Sequence, residues 1–239
     1  SAMIGKEIRA EKKTRNYVSN GKNVVLKLEQ FQTDRMAEPV SLELHEGEIV
    51  GVTGIVGAGK SELAHSIFGN AKQKKGRMIL NGEEVQFSTP YDTRKHRIAF
   101  IPEDRKDEGL FLGDTVANNM IVANIGKFKN RFGLLDGKKK NQVCADMAEK
   151  LQVMPMKLDL PVGNLSGGNQ QKVVIAKWLT GDPELIIMDE PTRGIDVGAK
   201  AEIYHLIRNL ADAGKGMLIM SSEFEELINM CDRIFVLYK

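Results

Sequence analysis

The chain has 239 residues, enough for one large domain or a core with a subdomain, and long enough to bury a substantial core. Its 34 Lys and Arg against 32 Asp and Glu leave a net charge of +2, a near-balance that argues against a dedicated nucleic-acid binder. No apolar run approaches the roughly 20 residues needed to cross a bilayer, no signal peptide is visible, and Cys144 and Cys231 form no close-spaced metal pair.

Ser1-Ala2-Met3 reads as a cloning remnant outside the fold, and the polar, aperiodic stretch 4–22 reads as a linker. Residues 24–31 and 40–44 alternate apolar with polar side chains, as half-buried strands do. Residues 48–53 are short, apolar and β-branched, and read as a strand. It runs into Gly54-Ile-Val-Gly-Ala-Gly-Lys-Ser61, which fits the Gly-x-x-x-x-Gly-Lys-Ser pattern of a phosphate-binding P-loop. Beyond it Leu63, Ala64, Ile67 and Phe68 fall on one helical face. Strand, glycine loop and helix are the context this motif requires. Gly54, Gly57 and Gly59 let backbone N–H groups curl into a nest for oxyanions, with Val56, Ala58 and Glu62 as the flanking loop positions. The helix aims its N-terminal dipole at the same phosphates. Lys60 supplies a point charge for the β- and γ-phosphates, and Ser61 a hydroxyl for Mg²⁺.

Residues 78–80 followed by Asn81-Gly82 read as a strand entering a tight turn, and 98–101 as a buried strand stopped by Pro102. From about 103 to 165 no strand pattern is found, whereas 115–123 and 143–151 look helical. The Lys/Arg-rich stretch 126–140, broken by glycine and asparagine, is either a solvated loop or a basic surface for a partner. Leu165-Ser-Gly-Gly-Asn-Gln-Gln171 precedes an apolar helical run over 173–179. There Ser166 suits an N-cap, and Gly167 and Gly168 would leave N–H groups open to an anion; capping alone and a second anion site both fit. Residues 185–188, 217–220 and 234–237 are apolar runs too short for helices, expected to be strands buried on both faces, and helix-like segments 198–211 and 223–230 separate them. The fold class is therefore α/β: a mainly parallel sheet covered by helices and interrupted by a helical insertion. The strand 185–188 ends in Asp189-Glu190, where carboxylates beside a P-loop could hold Mg²⁺ and orient an attacking water. The four histidines are read as surface or packing residues, and the cysteines as idle thiols.

Taken in this order, the P-loop, Leu165-Ser-Gly-Gly and Asp189-Glu190 resemble an ABC-type ATPase cassette over nearly the whole chain from about Val24. Further segments, Pro102-Glu-Asp-Arg-Lys-Asp-Glu-Gly-Leu110 and Asp189-Glu-Pro-Thr-Arg-Gly-Ile-Asp-Val-Gly-Ala-Lys200, look like the second cassette of bacterial simple-sugar importers. The resemblance implies a P-loop NTPase core over 23–239, an N-terminal antiparallel β part and a helical subdomain inserted at about 103–180. It also implies that the chain is the C-terminal half of a two-cassette ATPase, its polar start being the inter-cassette linker and its end at Lys239 coming early.

In such proteins two cassettes sandwich ATP head to tail. By carry-over, Glu190 and Lys60 would be catalytic, and Ser61, Asp189 and Glu103 would lie around Mg²⁺. Ser166, Gly167 and Gly168 would serve the nucleotide of the partner cassette, and Asp196 would lie in the loop crossing that interface. The implied partners are a second cassette, membrane permease subunits and, indirectly, a sugar-binding protein, with the chain at the cytoplasmic side of the membrane and no nucleic acid involved. The chain departs from the family where Glu103 replaces a glutamine, with Arg105 as a possible neutralising group, and where Ser222 replaces a histidine. Phe31 is the nearest candidate to stack on adenine, though its alternation fits a sheet face equally well. Two other readings of the residues are a non-catalytic nucleotide-binding module and a soluble ABC ATPase of DNA repair or translation.

Overall fold

A computed structural model describes residues 17–19 and 21–238; nearly all of the expected remnant and linker lies outside them. The first sheet is antiparallel: β1 (Val24–Thr33), β2 (Val40–His45), β4 (Gln73–Leu80) and β5 (Glu83–Val85) run in the order β2-β1-β4-β5. Asn81 and Gly82 close the β4–β5 hairpin with φ of 49° and 86°, the left-handed pair that a two-residue turn demands. Strand β4 begins five residues before the apolar run that announced it. Gln73 to Arg77 are mostly exposed and pair with β1, so their hydrophobicity carries no signal.

The second sheet joins β3 (Ile49–Gly54), β6 (Ile98–Ile101), β7 (Leu185–Asp189), β8 (Gly216–Met220) and β9 (Arg233–Leu237) in the order β6-β7-β8-β3-β9. All its pairings are parallel. Strands β7 and β8 are buried at every residue, as expected of a sheet with both faces covered. The expectation fails for β9: it pairs only with β3 at the sheet edge, and of its residues only Leu237 is buried.

Successive residues of the parallel strands feed two cores. On one face Ile186, Met188, Met217 and Ile219 pack with helices α3 (Val116–Ile121), α4 (Gly137–Lys150), α5 (Gly167–Leu179) and α6 (Val197–Asp212). On the other, Leu185, Ile187, Leu218 and Met220 meet helix α1 (Lys60–Ile67) and the antiparallel sheet. Phe31 belongs to this second core at 0% exposure, so it offers no ring face to a ligand and the adenine-stacking expectation falls. Cys144 and Cys231 are buried, and burial pushes the Cys144 thiol up to about 11.

Between β6 and β7 the chain is helical, with no strand beyond two isolated bridges. The stretch 126–140 is not one loop. Asp136 caps α4 by accepting from the Lys139 N–H at 3.0 Å, which puts Lys138 to Lys140 in a helical first turn.

Helix α5 carries a buried cation without a carboxylate partner. Lys177 donates to the Gly109 carbonyl at 2.7 Å, closing a π-helical turn at Arg105–Gly109 against the helix. Burial pulls its pKa from 10.5 down to about 8. The folded state therefore sheds this proton before the unfolded state does, and the penalty is relieved as pH rises from about 8 to 10.5. Lys177→Met removes the group, so wild type should gain stability relative to this variant across that window. Chemical unfolding at a series of pH values checks this; a constant difference would refute it.

Candidate functional site

The site begins with register. In the parallel sheet Val52 lies beside Met220, and Met220 beside Asp189. The loops leaving β3, β8 and β7 therefore emerge at one level, at the carboxyl edge where open α/β sheets bind ligands.

The loop after β3 is shaped by what its glycines exclude. A Cβ on Gly54 would meet the Leu237 carbonyl oxygen at 2.6 Å. At Gly59 it would meet the Met36 side chain at 2.7 Å, and φ is +92°. Any side chain there faces both a clash and backbone strain. Ile55 and Val56 are exposed at the crest of the loop. Lys60 opens α1; it is almost buried, and its ammonium donates to the Gly54 carbonyl at 2.8 Å, leaving two further donors.

Residues Val56 to Glu62 line a cleft of about 480 Å³ together with Arg35, Glu103, Glu190, Arg193 and Ser222. No motif or period pointed to Arg35, which sits in the connection between β1 and β2. Arg193 had a weak signal, as a cation three residues beyond Glu190 in a short loop. A larger and shallower depression lined by Thr115, Asn118 and Lys138 gathers no comparable set of groups.

Asp189 is the unusual group. It is 1% exposed, and neither carboxylate oxygen has a hydrogen-bond partner of good geometry. Burial pushes its pKa up to about 6, and Glu190 and Glu108 add to this, while the nearby Ser61 hydroxyl and the Lys60 charge pull it back. A carboxylate desolvated this far normally finds donors. One without them, beside a serine hydroxyl and a phosphate-type loop, fits a hard cation: Mg²⁺ is usually held by one or two carboxylates plus substrate phosphates. Among the described residues no group of three or more His, Cys, Asp or Glu could hold a metal ion alone, so phosphate oxygens would have to complete the shell.

Glu190 occupies the left-handed region, with φ of 45°. Its N–H donates to the Met220 carbonyl at 2.9 Å, and its Oε1 accepts from the Ser222 N–H at 2.8 Å. The Ser222 backbone thus orients Glu190. Glu103 reaches the same cleft, but its carboxylate is engaged by Arg193. Arg105 is not the neutralising group. Its guanidinium donates instead to the Arg193 and Gly194 carbonyls, at 2.7 and 3.1 Å, tying the loop after β6 to the loop after β7.

Ser166, Gly167 and Gly168 do not line this cleft. Ser166 is exposed at the start of α5 and caps it through Asn169. Gly167 lies against Arg105, and a Cβ on Gly168 would come within 2.6 Å of the Ala199 methyl on α6. Close packing is thus one reason for the second glycine. Asp196 caps α6 by accepting from the Ala199 N–H at 2.9 Å.

A family model described as ABC transporter matches residues 37–193. A putative ribose/galactose/methyl galactoside import ATP-binding protein of Halalkalibacterium halodurans is 43% identical over 216 residues, covering 90% of this chain and 41% of the relative. The ribose import ATP-binding protein of Oceanobacillus iheyensis is 41% identical over 99% of this chain and 47% of its own length. The chain thus spans a little under half the length of the curated relatives it matches. A bacterial ABC transporter cassette solved as a dimer has the same fold, with a TM-score of 0.73 at 23% identity over 89% of this chain and 94% of that one.

The buried charge of Asp189 has a measurable cost. Because the folded pKa is raised, stability is lost as pH rises from 3.8 to about 6, and the penalty is complete above that. Without nucleotide or metal, Asp189→Asn should be more stable than wild type by about 1–3 kcal/mol at neutral pH, with the difference closing towards pH 4. Urea unfolding in EDTA at both pH values checks this. A variant less stable than wild type at neutral pH would contradict it.

Proposed function

The chain belongs to the ABC transporter family, and on that premise we propose that it binds and hydrolyses Mg-ATP to drive sugar import through membrane partners. The observation that carries the reading is the meeting of Glu190 with the Gly54–Ser61 loop in one cleft, beside the partnerless Asp189. The phosphates lie along the backbone of Gly54 and Val56 to Glu62, with Lys60 as the charge they meet. Ser61 and Asp189 would hold Mg²⁺, and Glu103 would be free to join them only without its ion pair to Arg193. Bound there, Mg²⁺ would supply charge neutralisation for the phosphate oxygens. Glu190, oriented by the Ser222 N–H, accepts a hydrogen bond and then the proton from the attacking water.

Ser166, Gly167 and Gly168 stand outside their own cleft, and Ser166 faces solvent, which suits presentation to the nucleotide of a second cassette. ATP then joins two cassettes by contacts that exist only in the closed state. Among the described residues no helix is long and apolar enough to cross a membrane. The likeness to import ATP-binding proteins supports permease subunits as partners, with the chain docked peripherally at the cytoplasmic face. Sugar as the cargo class rests on the names of the relatives. A sugar-binding protein would act on the far side of the membrane.

Lys60→Ala should weaken ATP binding about 10- to 100-fold, the worth of a charged hydrogen-bonding group. Glu190→Gln should bind ATP within about twofold of wild type and lose at least about 100-fold in turnover. Calorimetry and a phosphate-release assay separate the two effects. Unaltered affinity in the first variant or unaltered turnover in the second would remove that residue from its role. Wild-type turnover per chain should also rise with protein concentration, and a concentration-independent fast rate would rule out a composite site.

A further inference from the structure

Behind Glu190 lies a second glutamate that the reading above does not use. Glu226, on helix α7 (Phe224–Met230), is 3% exposed. Its Oε1 accepts from the Thr192 hydroxyl at 2.7 Å, and its Oε2 from the Ser221 hydroxyl at 2.6 Å. Both hydroxyl groups belong to fully buried residues. Burial raises the Glu226 pKa, and the Ser221 and Thr192 hydroxyls oppose this by donating to its carboxylate. Thr192 stands two residues beyond Glu190, and Ser221 directly precedes Ser222, whose N–H holds Glu190. One buried carboxylate therefore bridges the two loops that frame Glu190.

The Ser221 hydroxyl has a single proton. Its oxygen accepts from the Glu223 N–H at 3.1 Å and lies 3.5 Å from Glu190 Oε2. Because the proton is committed to Glu226, Glu190 receives no donor of normal length from Ser221. Glu190 Oε2 is thereby left open to accept a hydrogen bond from a water, while Oε1 is held by the Ser222 N–H.

We propose that Glu226 is a positioning residue for Glu190: it holds the loops after β7 and β8 in register and keeps the Ser221 proton away from the Glu190 carboxylate. This rests on the role assigned to Glu190. The discriminating variant is Glu226→Gln, which keeps the volume but brings an amide that donates. An amide N–H on Ser221 frees the serine proton to turn towards Glu190.

In the assembled two-cassette form, Glu226→Gln should lower kcat about tenfold, the scale of one hydrogen bond, with ATP affinity within about twofold of wild type. Adding Ser221→Ala to that variant removes the misplaced proton and should recover most of the loss. Unchanged kcat, a loss carried equally by affinity, or no recovery in the double variant would each overturn the proposal. A crystal structure of Glu226→Gln gives a readout that needs no turnover. The Ser221 oxygen should close on Glu190 to hydrogen-bond distance, and persistence of the 3.5 Å gap would count against the proposal. If Glu190→Gln itself turns over normally, the role of Glu190 fails, and this distance still decides the fate of the Ser221 proton.

Discussion

The alignment of Val52, Met220 and Asp189 across three parallel strands is the constraint on which the rest of the site depends. It fixes where each strand ends, and so which loops meet. A one-residue slip of one strand would turn each of its side chains to the other face and mismatch the packing of both cores. Those cores resist it: β7 and β8 are buried at every position, and successive residues feed opposite sides. The apolar residues thus hold the polar ones in place.

Two buried acids show how differently the fold treats structure and site. Glu48 and Asp189 are both 1% exposed. Burial alone would raise the pKa of Glu48, yet Arg233 and His45 donate to it and hold it below the ordinary carboxylate range. That acid locks β9 to the strands beside it. For Asp189 burial outweighs the Ser61 hydroxyl and the Lys60 charge, and its pKa is pushed the other way. The neighbours separate them: a guanidinium and an imidazole beside Glu48, and two further carboxylates, Glu190 and Glu108, near Asp189. The strained backbone of Glu190 lies one residue further on, so two unfavourable features gather at the carboxyl end of one strand. Sites that bind a ligand concentrate such costs, and the surrounding core offsets them.

The legible parts of the fold were those where one period dominates. The strand, glycine loop and helix from Ile49 to Ile67 could be read because apolar spacing and glycine placement agree. Strands β7 and β8 could be read because uninterrupted apolar runs are short. The first half of β4 could not, since its polar side chains face solvent while its backbone pairs. Phe31 carried two meanings in one dimension, and only burial separates them. The pairing of Glu103 with Arg193, and the clamp of Glu226 on Thr192 and Ser221, join residues distant in sequence through loops. No local period records such contacts. Glu226 looked like one more charge on a short amphipathic helix.

If the strand ends converge on one metal–phosphate site, a paramagnetic or anomalous scatterer will reveal it. The most direct measurement is a crystal structure with Mn²⁺ and a non-hydrolysable ATP analogue, with the ion located by its anomalous signal. The expected result is a single strong peak between Ser61 and Asp189, with the phosphates lying along Gly54 to Ser61. Nucleotide bound with its phosphates elsewhere, or an ion with no contact to either side chain, would contradict the assignment of this cleft.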